Sequence, residues 1–416
     1  MRNANVADIG AGAASARFVA ALTALRTAFR DGALRIPASA LLVFIGWRVS
    51  LFLTTVVASQ LSGQPPAGLG QLLLQSTDRW DAGWYIAVAR DGYSLPTTGQ
   101  GNIAFYPLLP LLIRLVALVV PSWHAAGALV VHAALLGAVL YLHALVRLDH
   151  DEATALRAVA ALLLFPTAIF LTAIYTESLL LLTMIAAVYH ARKGQWWAAG
   201  LWGLAAGLTK FVGAAVAVAI LWEWGRRVLR EGPQRRHWVG GVAVLLPVAG
   251  ALSFLGYLQV RFGSYKVYFD VQEAWYRQSF FHPFFPDGWG FLTAFLRGDG
   301  ASVINYFYPQ AGVTLPSTNA FMVLDLAFLL IGLAVGLVFC LRLRASYGLF
   351  VLAVLATAAY SGSPQSLNRI ALILFPLPLA FALAGRSRPV AFAIFTLSGL
   401  LGVYHTFLFV NGFWAG

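Results

Sequence analysis

The sequence predicts an all-α polytopic membrane protein, and three observations predict it. Hydrophobic residues make up 60% of the 416-residue chain and charged ones 11%, a balance far outside that of soluble domains. The apolar stretches do not alternate in polarity as barrel strands would, so helices that satisfy their own backbone hydrogen bonds must carry the chain through the bilayer. The net charge of +12 comes from arginines clustered between apolar stretches, the pattern that orients membrane helices, rather than along one face as in a nucleic-acid binder.

The chain divides into a basic N-terminal segment, residues 1–35, and a single membrane domain, residues 36–416. The first segment carries Arg2, Arg17, Arg26, Arg30 and Arg35 and lacks an apolar core leading to a small-residue cleavage site. It reads as a cytoplasmic leader rather than a cleaved signal; a transit peptide is the competing reading. Apolar runs follow at 36–60, 105–120, 124–146, 154–170, 176–191, 196–208, 211–225, 238–260, 319–341, 346–361, 367–384 and 389–411. If all of them crossed, Arg192-Lys193 and the cluster from Arg226 to Arg236 would lie outside, against the positive-inside rule. The run at 105–120 is short, begins Phe105-Tyr106-Pro107 and carries Arg114 near its centre, so it is expected to lie on the outer membrane surface. About eleven crossings remain. Every basic turn then falls on the cytoplasmic side, and two large loops, 61–123 and 261–318, fall outside. The run 196–208 is short for a bilayer, so some helices are expected to be broken or to enter only partway. The single cysteine, Cys340, lies inside an apolar run and is expected to pack there.

On this topology the outer side collects the chemistry. It receives Asp78, Arg79, Asp81, Arg90, Asp91 and Arg114 from the first loop and Tyr175 and Glu177 from the turn near 175. Lys210 comes from the next turn, Gln272, Glu273, Trp275 and Arg277 from the second loop, and Asn368 and Arg369 from the turn before the run at 367–384. A carboxylate among several cations suits a hydroxyl nucleophile and a phosphate leaving group: the carboxylate takes the proton while Arg and Lys meet growing charge on the phosphate. Each residue also has a bland reading. Asp81 pairs with Arg79 or caps the helix holding Trp84 and Tyr85. Glu177 caps the helix that follows it, and Arg369 snorkels toward headgroups. Lys210 and Arg277 take surface roles, and Trp80, Trp84 and Trp275 anchor the loops at the interface. Arg48, in the middle of the first run, reads as a structural partner for Asp325 or a backbone carbonyl. The histidines lack metal-ligand spacing, so no zinc is expected; a divalent cation held by Asp78, Asp81 and Asp91 stays open.

The motifs resemble a family. Trp80-Asp81, Gly92-Tyr93 and Ala104-Phe105-Tyr106-Pro107-Leu108-Leu109-Pro110 resemble the first-loop signature of the GPI mannosyltransferase 2 family. Phe165-Pro166-Thr167-Ala168-Ile169-Phe170 with Ala173 and Tyr175-Thr176-Glu177-Ser178 is similar to its next block. Leu208-Thr209-Lys210-Phe211-Val212-Gly213 resembles its Thr-Arg-x-x-Gly turn with Lys in place of Arg. Phe269, Gln272, Trp275 and Arg277 fit a Phe-x-x-Gln-x-x-Trp-x-Arg pattern, and Asn368-Arg369 with Phe375-Pro376 resembles a Pro-Arg and Phe-Pro pair, with Asn where Pro is common.

The resemblance spans most of residues 40–385 and implies a GT-C type fold. It also implies a polyprenyl-phosphate-linked mannose donor, an inverting displacement, and an acid of the first loop as general base. Carried onto this sequence, Asp81 is the expected base. Arg369, Lys210 and Arg277 are the expected donor-phosphate contacts, and Trp80, Trp84, Tyr85, Tyr175, Glu177, Gln272 and Trp275 the expected substrate contacts. A lipid-phosphate donor calls for no cofactor and no divalent metal. Membrane lipid and a glycolipid or glycan acceptor are the expected partners, and nucleic acid is not. Basic-loop distribution points to a bacterial inner membrane with the site on its extracytoplasmic side. The alternatives are another lipid-phosphate sugar transferase or glycan ligase of the same fold, or a secondary transporter. A transporter would keep its ionisable groups near the midplane rather than gathered at one surface.

Overall fold

The computed structural model describes residues 37–61, 68–96, 99–232, 240–275, 316–360 and 366–413, and all regular structure within them is helical. Helix α1 (Ala38–Leu61) leads into a loop region holding α2 (Leu69–Gln75), α3 (Asp81–Asp91), a 3-10 turn at Asn102–Ala104 and α4 (Leu108–Val116). The bundle continues with α5 (Trp123–Val146), α6 (Glu152–Leu163), a 3-10 turn at Ala168–Leu171, α7 (Glu177–Arg192) and α8 (Trp196–Thr209). A third 3-10 turn, Phe211–Ala215, precedes α9 (Val216–Glu231), which is followed by α10 (Leu246–Phe262) and α11 (Val267–Ala274). The last elements are α12 (Pro316–Arg342), α13 (Ala345–Tyr360), α14 (Leu367–Ile373), α15 (Pro376–Ala384) and α16 (Arg388–Val410). Helix starts follow local chemistry: the Ser122 hydroxyl accepts from the Ala125 N–H at 3.3 Å, and the Asp151 carboxylate from the Thr154 N–H at 2.8 Å.

Among the described residues, α1, α5, the Leu324–Arg342 part of α12, and α16 are each long and apolar enough to cross a membrane; α14 and α15, bent by 81°, add a fifth if they form one crossing. The expected eleven crossings are not reached by this measure, for a physical reason. Helices α6 to α10 and α13 have 12 to 17 residues. At 1.5 Å per residue they rise about 18–26 Å, short of a hydrocarbon core of about 30 Å. Chain breaks shorten them. The run at 154–170 stops near Phe165-Pro166, and the run at 367–384 bends between Ile373 and Pro376, because proline offers no N–H to the preceding turn. The stretch at 105–120 becomes α4, whose nine residues are too few to span; Leu111 and Leu115 on it are exposed.

Irregular backbone inside a membrane survives only when protein covers it. Every residue from Phe165 to Leu181 is buried. Several of its polar groups are bonded: the Ile174 N–H donates to the Thr77 carbonyl at 2.9 Å, the Thr172 hydroxyl to the Ser76 carbonyl at 3.3 Å, and the Ser178 hydroxyl to the Leu171 carbonyl at 2.6 Å. The first loop is thereby tied to the bundle core just before Asp81.

Two further features hold the frame. At the far end of α7 from Glu177, the Arg344 guanidinium makes a two-pronged pair with Glu223 at 2.8 Å on each side, and Ser346 donates to the same carboxylate. Arg192 binds Asp149 and the Tyr347 hydroxyl there, so turns that the sequence reading placed on one side do meet at one end of the bundle. Helices α8 and α10 touch through small residues: a Cβ on Gly207 would lie 2.1 Å from the Pro247 carbonyl oxygen. Gly207→Val is therefore expected to push α8 and α10 apart and cost about 1–3 kcal/mol. A thermal melt of the purified protein would show it; an unchanged midpoint would mean that the contact tolerates the larger side chain.

Candidate active site

The residues singled out from the sequence converge on a single cavity of about 660 Å³. Trp80, Asp81, Trp84, Tyr85, Glu177, Lys210, Gln272, Trp275 and Arg369 all line it. They come from the start of α3, the start of α7, the end of α8, α11 and its end, and the first turn of α14.

Its charged pole is built around Arg369. One guanidinium nitrogen, Nη2, lies 2.8 Å from Glu177 Oε1 and 3.6 Å from Asp81 Oδ2, and the Lys210 ammonium is 3.9 Å from the same Glu177 oxygen. The guanidinium also rests on the rings of Phe170 and Tyr175, 4.6 and 4.9 Å from their centroids. Exposure separates the two carboxylates: the Glu177 side chain is 3% exposed and that of Asp81 25%. Glu177 is thus the fixed counter-ion of Arg369, while Asp81 reaches into the open space. The bland pairing of Asp81 with Arg79 does not form, because Arg79 turns away and donates to the Val410 carbonyl at 2.7 Å.

The backbone is strained where this pole is made. Trp80 (φ 50°) and Ser366 (φ 68°) are the only non-glycine residues with positive φ among those described, and both line the cavity. Such conformations cost about 1–3 kcal/mol each and cluster where structure is held for function. Trp80 precedes Asp81 directly, and Ser366 opens the turn that carries Arg369. At the first turn Tyr175 acts as a clamp. Its hydroxyl accepts from the Asp81 N–H at 3.1 Å and donates to the Arg79 carbonyl at 3.1 Å, bridging both sides of Trp80. Tyr175 is 1% exposed and does not line the cavity, which corrects its expected role as a substrate contact: it supports the site from behind.

An aromatic wall faces the charged pole. Trp84 stacks on Phe105 at 5.9 Å, and Trp275 meets both rings edge-on at 5.7 Å. Gln272 donates to the Ala104 carbonyl at 3.4 Å and the Trp275 indole to the Gly101 carbonyl at 3.3 Å, so α11 docks onto the first loop through the two residues expected to touch substrate. Burial, with the Asp81 and Glu177 charges, pushes the Tyr85 hydroxyl up and keeps it a proton donor.

Not every outer-side residue takes part. Arg90 and Asp91 pair with each other in solvent, and Asp78 pairs with His124 at 3.0 Å. Arg277 lies outside the described residues. Arg48 is not the partner of Asp325; that carboxylate accepts from the Asn368 N–H at 2.8 Å. The reading of the sequence passed over Phe105, Phe211, Tyr268 and Ser366 in the lining. Phe105 and Phe211 stand within the quoted motifs, which was the available signal; Ser366 left none, since nothing in its residue type marks a left-handed turn.

No curated protein matches the chain significantly. Among solved structures it is similar to the archaeal oligosaccharyltransferase AglB from Archaeoglobus fulgidus in complex with an inhibitory peptide and a dolichol-phosphate, at 13% identity and a TM-score of 0.44, over 89% of this chain and 56% of that one. A second match is the Archaeoglobus fulgidus oligosaccharyltransferase in complex with Zn and sulfate, at 14% identity and a TM-score of 0.42, over 88% of this chain and 53% of that one. The chain spans little more than half the length of these structures. Residues 55–222 match the profile described as mannosyltransferase (PIG-V). That stretch carries Asp81, Tyr175, Glu177 and Lys210, within a chain that is an integral membrane protein.

Proposed function

We propose that the protein is a GT-C type enzyme that transfers mannose from a polyprenyl-phosphate donor to a hydroxyl of a lipid or glycan acceptor, on the extracytoplasmic face of a bacterial inner membrane. The observation that carries the reading is the single cavity in which a partly open carboxylate, Asp81, faces Arg369 at 3.6 Å with Lys210 close by.

The chemistry follows from charge. Asp81 takes the proton of the acceptor hydroxyl as its oxygen attacks the anomeric carbon, and the bond from that carbon to the phosphate oxygen breaks through an oxocarbenium-like state. Attack opposite the leaving group inverts the configuration. Two carboxylates and two cations balance in the resting pole. Once Asp81 is protonated the pole is left with one net positive charge, at the moment the departing polyprenyl phosphate gains one negative charge. Arg369 and Lys210 provide the stabilisation, with no cofactor and no divalent metal in the scheme. Arg277 is retained as a third phosphate contact. Trp80, Trp84 and Trp275 offer ring faces to a sugar, and Tyr85 and Gln272 offer polar atoms along the same wall.

The test is to incubate purified protein with radiolabelled mannose on a polyprenyl phosphate and a membrane extract. Label should move into a lipid or glycan product with inverted linkage. Movement of sugar into sealed vesicles without a new glycosidic bond would replace this reading with transport.

A further inference from the structure

We infer that Asp325 is a positioning residue for Arg369. The inference rests on the proposed reaction for its kinetic consequence, though the contact itself does not. Asp325 lies within α12, a helix apolar enough to cross a membrane, and is 2% exposed. A carboxylate there is costly unless it has a task, and the pole around Asp81 does not account for it.

Its task is visible at the start of α14. That helix opens at Ser366, which is held at φ 68° and provides no side-chain cap. The missing cap comes from another helix: Asp325 Oδ1 accepts the Asn368 N–H at 2.8 Å. On the other side, the Thr167 hydroxyl donates to the Asn368 carbonyl at 3.1 Å. Asn368 is thus gripped at both backbone ends, by α12 and by the buried segment near 167. The next residue is Arg369. Its guanidinium direction is set by the peptide that Asp325 anchors, and the left-handed turn at Ser366 would otherwise relax and swing that peptide.

The role needs an acceptor, not a charge. Asp325→Asn keeps a carbonyl oxygen at the same position, whereas Asp325→Leu keeps the branched four-atom side chain and removes the acceptor. For Asp325→Leu we expect kcat to fall about 10- to 100-fold with donor KM changed less than 3-fold, as for a displaced group that acts on the leaving phosphate. Asp325→Asn should stay within about 3-fold of wild type in both constants. Hydrogen exchange read by mass spectrometry on the same proteins should show faster exchange at 366–371 in Asp325→Leu alone, with the far end of α7 near Arg192 unchanged. Wild-type kinetics and exchange in Asp325→Leu would overturn the inference, as would equal impairment of Asp325→Asn, which would make the charge the operative property. If wild-type protein transfers no mannose, the proposed reaction fails, and the exchange comparison still decides whether Asp325 holds the turn.

Discussion

Asp81→Asn should lower the rate of mannose transfer by about 10²–10⁴ while the protein accumulates and folds as before, because general-base assistance is worth that much. Folding is expected to survive for reasons visible in the site. The Asp81 side chain is one quarter exposed, its approach to Arg369 is a long 3.6 Å, and Arg369 keeps its closer partner Glu177 at 2.8 Å. The Asp81 backbone N–H, through which Tyr175 fixes the turn, is untouched by the substitution. The loss should therefore appear in kcat and kcat/KM together, with donor KM nearly constant. Initial rates over a range of donor concentrations check this. Turnover near that of wild type would remove Asp81 from the role of base.

Arg369→Ala should be as damaging to activity and, unlike Asp81→Asn, damaging to stability. Loss of a preorganised group facing developing charge costs about 10²–10³ in rate. The same change leaves Glu177, with a side chain 3% exposed, as a buried carboxylate without its closest cation, and breaking such a pair costs about 3–5 kcal/mol. The two losses separate in a paired variant. Arg369→Gln combined with Glu177→Gln removes both charges, so a thermal melt should recover most of the stability while the rate stays low. Recovery of rate along with stability would show that Arg369 serves only to neutralise Glu177.

The sequence revealed the members of the site better than its construction. Asp81, Glu177, Lys210 and Arg369 are polar residues at the edges of apolar runs, a placement that hydropathy exposes, and motif order linked them to Gln272 and Trp275. The supports escaped because they depend on contacts between distant segments. Tyr175 looked like a substrate contact, since a tyrosine beside a glutamate in a turn carries no sign that its hydroxyl bridges Arg79 and Asp81. Asp325 looked like a partner for an arginine, since a carboxylate in a hydrophobic helix suggests a charge to balance, and a backbone N–H is invisible to composition. Apolar runs gave the helices but not where they break, because hydropathy averages over breaks such as those at Pro166 and Pro376.

The left-handed residues Trp80 and Ser366 set a direction for laboratory selection. Glycine at either position would adopt the same dihedral angles without steric penalty, so variants chosen only for heat resistance would be drawn toward it. The clamped side-chain geometry next to each turn is what those variants would put at risk. The two positions where a non-glycine backbone is costliest to hold thus sit beside side chains that line the cavity.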